Sequence, residues 1–70
     1  MKVETGTKLK CVRRKKLNGD GANYAKIELV KGKIYEVYIV LNYESQIAVS
    51  LKGCLYQHSI ENFIIINPRR

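Results

Sequence analysis

His58 is the single imidazole of the chain and stands four residues beyond Cys54, so the first chemistry to weigh is a Cys-His nucleophile pair. Read as positions along one strand, the two side chains share a face but lie about 13 Å apart at roughly 3.3 Å per residue, outside hydrogen-bond reach. No catalytic pair is expected, and His58 reads as a surface residue leading into a helical turn. Structural zinc asks for four ligands at a chelating spacing. Cys11, Cys54 and His58 supply neither, so no metal site is expected. Both cysteines read as reduced and as small buried hydrophobes. Gly19-Asp20-Gly21 lacks the Lys, the Ser or Thr and the following helix of a phosphate-cradling loop, and reads as a turn. The six acids are scattered, with no pair placed for general acid and base work. The expectation is a protein that is not an enzyme and needs no cofactor.

Charge carries more information. Thirteen Lys and Arg against six Asp and Glu give a net +7. Lys2, Lys8, Lys10, Arg13, Arg14, Lys15 and Lys16 crowd the first sixteen residues beside one acid, Glu4, while Arg69 and Arg70 sit at the other end. The stretch between is about neutral. Lys8 and Lys10 would occupy the outer face of a first strand leading into Arg13-Arg14-Lys15-Lys16, a run suited to holding phosphates by counterion release. Tyr35 reads as core, whereas Tyr38 points the other way and Tyr43 sits in a turn. These two are candidates for base stacking or partner contact, with Tyr24 and Tyr56 as further platforms.

The elements that must position these groups are strands, because the apolar residues recur with period two. Thr7 to Arg13 alternates as strand one. Lys33 to Leu41 is a second strand with Tyr35, Val37, Ile39 and Leu41 on one face and Ile34, Tyr38 and Val40 on an apolar second face. Gln46 to Lys52 is a third, with Ile47, Val49 and Leu51 inward and Ala48 outward. Cys54 to His58 makes a short fourth, and Ser59-Ile60-Glu61-Asn62 one helical turn capped by Ser59. Phe63 to Ile66 is the fifth, ended by Pro68. The long connection Arg14 to Val30 is a surface loop in its front half. Its back half, Tyr24 to Val30, alternates and returns with Tyr24, Ile27 or Leu29 as anchor.

Five short strands, a long first connection, tight hairpins and one turn between strands four and five match a small all-β SH3-like barrel filling residues 1–70 as a single domain. The run Leu29-Val30-Lys31-Gly32-Lys33-Ile34-Tyr35-Glu36-Val37, with a Cys in strand one before it and Ser59-Ile60-Glu61-Asn62-Phe63 after it, resembles small proteins of bacteriophage and prophage genomes with SH3-like folds. The resemblance implies a fold and a viral or mobile-element context, without a shared activity. In such a barrel strand one pairs antiparallel with strand five, which would bring Arg69 and Arg70 beside Lys2 and Lys8. The chain has no Trp, and bases stand where acids would be expected, which argues against proline-rich peptides. Two partners fit: nucleic acid, held by Lys8, Lys10, Arg13, Arg14, Lys15, Lys16, Arg69 and Arg70, or an acidic protein surface, such as a host protein met through the Ile34, Tyr38 and Val40 face. Self-association through that face is a further option. No apolar run exceeds the five residues Val37 to Leu41, far short of the ~20 that span a membrane. With no secretory leader after Met1, the expected place is the cytoplasm.

Overall fold

The computed structural model describes residues 3–19 and 21–66. Five strands form one antiparallel sheet in the order β4-β3-β2-β1-β5: β1 (Lys8–Cys11), β2 (Ile34–Asn42), β3 (Ile47–Leu51), β4 (Gln57–Ser59) and β5 (Phe63–Ile66). The sheet is open, with β4 and β5 as its outer strands. A 3-10 turn, Ile60–Asn62, links them, and the Ser59 hydroxyl caps it by accepting from the Glu61 amide at 3.2 Å. That turn and the bounds of β5 agree with the sequence reading. So does the pairing of the chain ends, since β1 lies antiparallel to β5 with Leu9 opposite Ile65 and Cys11 opposite Phe63. Lys2, Arg69 and Arg70, the residues expected to merge the two basic ends, lie outside the described residues.

Three local readings are corrected. The returning segment of the long connection is a helix, α1 (Tyr24–Glu28), rather than an extended chain. Asn23 caps it by accepting from the Lys26 amide at 3.3 Å. Five residues cannot sustain a helix alone; packing holds this one. Ala25 and Leu29, four apart and so on one face, are both buried, which makes Leu29 the anchor, while Ile27 is 69% exposed. A short 3.6-period helix and a strand can share apolar positions over so few residues.

The second correction concerns β2. Val37 pairs with Leu51 but Ile39 pairs with Ser50, so Tyr38 is an extra residue against β3. This bulge reverses the alternation beyond it. Tyr38 and Ile39 both face solvent, and Val40, expected on the outer face, packs against the core. The third correction is at β3, where Ala48, expected outward, is fully buried beside Val49 and Ile47 is 42% exposed. The core is built from Leu9, Cys11, Ala25, Leu29, Tyr35, Val37, Val49, Leu51 and Phe63. The Tyr35 hydroxyl accepts from the Val30 amide at 2.9 Å, tying the start of β2 to the end of the long connection.

Candidate functional site

Two places gather polar chemistry. The first is the outer face of β1 and the extended segment that leaves it. Leu9 and Cys11 are fully buried, so Lys8 and Lys10 face outward as the alternation required. Lys8 stands opposite Glu36 on β2, and its Nζ meets Glu36 Oε1 at 3.0 Å; Lys52 meets the other oxygen at 2.9 Å. The Lys52 and Lys8 ammonium groups hold the Glu36 carboxyl below its usual range. Lys10 stands between Ile34 of β2 and Ile64 of β5, both about half exposed.

Beyond Cys11 the chain is strapped down by Asn62, which is completely buried. Its Oδ1 accepts from the Lys15 amide at 2.6 Å and its Nδ2 donates to the Lys15 carbonyl at 3.0 Å. The Asn62 carbonyl also accepts from the amides of Val12 and Arg13. One carboxamide thus does for Lys15 what a neighbouring strand would do, satisfying its N–H and C=O together. Gln46 repeats the device on Asn18, accepting its amide at 3.2 Å and donating to its carbonyl at 2.9 Å. The front half of the long connection is a surface segment, as expected, but a clamped one.

The clamp sorts the basic run into two sets. Arg13 donates to the Glu61 carbonyl and Lys15 meets the Glu61 carboxylate at 2.7 Å. The Lys15 ammonium is the main reason the Glu61 carboxyl is lowered. Lys10, Arg14 and Lys16 are exposed and have no ion-pair partner among the described residues. Six candidate cations therefore reduce to three with a free charge.

Of the tyrosines, Tyr38 is 54% exposed and is displayed by the bulge. Tyr43 has a structural partner, since its hydroxyl donates to Gln57 Oε1 on β4 at 2.6 Å. Tyr24 and Tyr56 stack on each other, with centroids 3.9 Å apart and planes within 10°, so each ring occupies one face of the other.

The second place corrects the reading of His58. It is 1% exposed, not a surface residue, and its Nε2 lies 2.8 Å from Glu28 Oε1. Glu28 also accepts from the Leu55 amide at 2.6 Å and the Tyr56 amide at 3.1 Å. Burial alone would raise its carboxyl, but the Leu55 amide, the His58 ring and the Tyr56 amide outweigh burial and hold it below the usual value. Cys54 and His58 are not 13 Å apart, because β4 begins only at Gln57 and the chain from Lys52 to Tyr56 is turns and bends. The ligating atoms of Glu28, Cys54 and His58 all lie within 4.8 Å of one another. A cleft of about 400 Å³, lined among others by Glu28, Cys54, Lys33 and Lys52, opens onto this group. Burial pushes the Cys54 thiol up, and the Glu28 carboxylate adds to the shift.

Asn62, Gln46 and Glu28 organise these two places, and sequence reasoning passed over all three. Among the described residues no helix is long and apolar enough to cross a membrane. Comparison with family models, with curated proteins and with solved structures finds no match to this chain.

Proposed function

We propose that this protein is a non-enzymatic module that contacts nucleic acid, with Lys10, Arg14 and Lys16 on phosphates and Tyr38 available to a base. The observation that carries the reading is the Asn62 clamp. It fixes the backbone of the basic run against the 3-10 turn while Glu61 engages Arg13 and Lys15. A cation on a fixed backbone loses less conformational freedom when it binds, so Lys10 on β1, Arg14 on the strap and Lys16 next to it are worth more than three cations on a loose loop. The strand order, with β1 between β2 and β5 and a 3-10 turn before the last strand, supports an SH3-like architecture; the phage-type context rests on the resemblance read from the sequence, and the cytoplasmic location on the sequence reading.

Fluorescence anisotropy with labelled single- and double-stranded DNA and RNA tests the proposal. Three phosphate contacts give a slope of log K against log salt of about −2.7 on duplex. K10E/R14E/K16E abolishes binding, whereas R13Q/K15Q weakens it far less. Absence of binding to all four probes at low salt, or unchanged binding by the triple variant, refutes it.

A second reading has its own observation. Ile34, Tyr38 and Ile64 are each more than half exposed, and Ile34 and Ile64 flank Lys10. An acidic protein surface, such as that of a host protein, would meet this mixture of apolar and cationic groups. Tyr38→Ala would then cost more affinity than charge reversal, the opposite of the ranking for nucleic acid.

A further inference from the structure

Glu28 at the end of α1, Cys54 in the turn after β3 and His58 on β4 bring a carboxylate, a thiol and an imidazole within 4.8 Å from three separate elements. We propose that these three side chains form a binding site for one divalent cation of the zinc class. The donor set is the mixed sulfur, nitrogen and oxygen set that a borderline-soft ion takes. A thiolate, a carboxylate and a neutral imidazole carry two negative charges, which neutralise a divalent ion in a place too dry for an unpaired charge.

The surroundings suit the assignment. His58 is 1% exposed, so its ring is held by packing rather than by solvent. The Leu55 and Tyr56 amides fix the Glu28 carboxylate from behind, as outer partners orient a metal ligand. Tetrahedral zinc sets ligand-to-ligand edges of about 3.3 to 3.7 Å. His58 Nε2 and Glu28 Oε1, now 2.8 Å apart, open by about half an ångström, and the Cys54 sulfur closes in. The ion takes the place of the proton between those two atoms, which moves to Nδ1 so that the imidazole stays neutral. The Cys54 thiol releases its proton to solvent, one per ion bound. The fourth position faces the cleft and takes water. Of the ammonium groups lining that cleft, Lys8 and Lys52 are already paired with Glu36, and Lys33 leans over the Tyr35 ring. Competition with the cation is thereby reduced. Strand spacing concealed the site, since it holds only if Cys54 and His58 belong to one strand.

Titration of the untagged, reduced protein with Co2+ tests the proposal. The expected result is one ion per chain with a thiolate-to-cobalt charge-transfer band, displaced by Zn2+. The band is absent in Cys54→Ser and retained in Cys11→Ala. Competition with a chromophoric chelator should show zinc affinity falling in C54S by more than the ~10–100-fold that loss of an outer partner costs. Glu28→Gln, which keeps an acceptor for the Leu55 amide, falls by at least about tenfold. No thiolate band in the folded wild-type protein, a band that survives in C54S, or unchanged zinc affinity in C54S overturns the assignment.

Discussion

The Asn62 strap and the Glu28–His58 group solve one problem in opposite senses. Each lets a buried polar residue hold an irregular stretch of chain: Asn62 holds Arg13 to Lys15, and Glu28 with His58 holds Leu55 and Tyr56. Asn62 is neutral, so it satisfies backbone groups inside and leaves the charges outside. Glu28 is charged and turns inward, where amides and an imidazole must compensate it. A neutral clamp builds a surface for others to touch, whereas a charged one builds an interior site.

The difference ranks the consequences of breaking them. Glu28→Ala strips partners from two amides and the His58 ring and should cost about 3–5 kcal/mol by urea unfolding. For a 70-residue chain with roughly 4–10 kcal/mol in hand, that approaches global unfolding. Asn62→Ala orphans the Lys15 amide and carbonyl, which lie nearer to water, and should cost about 1–3 kcal/mol. Its local signature is faster hydrogen exchange at the Lys15 amide with the Leu55 and Tyr56 amides unchanged. If those three amides respond alike to N62A, the two regions are one cooperative unit and the comparison fails.

A smaller effect comes from Gly32, whose φ of 89° lies in the left-handed region while its amide donates to the Cys11 carbonyl at 2.7 Å. No atom lies within 4 Å of a Cβ added there, so Gly32→Ala should cost only the backbone term, about 1 kcal/mol, read as a lowered thermal midpoint. The smallest effect is pH dependence at the surface. The Glu36 and Glu61 carboxyls are lowered in the folded protein by their lysine partners, so their contribution is present above the ordinary 4.5. It is lost as pH falls from there through the folded values. The thermal midpoint should dip across that window, and the dip should shrink with E36Q/E61Q or high salt.

The legibility of the chain follows the same division. β5, the Ser59-capped turn and the outward Lys8 and Lys10 are readable because alternation and capping are local rules acting through neighbours in sequence, whereas the β1 to β5 pairing, across more than fifty positions, comes only from the resemblance to an SH3-like fold. Ile39 and Val40 depart from the expected alternation because a single extra residue at Tyr38 shifts parity along β2, and nothing in the residue types near it announces a bulge; Ala48 is buried alongside the inward Val49 and Leu51 on a face that alternation assigns to solvent. The helix Tyr24–Glu28 was read as extended because its apolar positions also fit period two. Glu28, Asn62 and Gln46 were passed over for another reason: each acts on backbone far away in the chain. A carboxamide that replaces a strand looks, in sequence, like any surface amide.

The pairing of β1 with β5 joins residues more than fifty positions apart, whereas β2 and β3 meet across a short hairpin. Closing so large a loop is the slow part of assembly, so the hairpin should form early and the ends dock last. Asn62 immediately precedes β5 and reaches the strap only when that strand docks. The cationic surface is thus a product of the docking of β5, and during synthesis it comes into being only after that strand has left the ribosome.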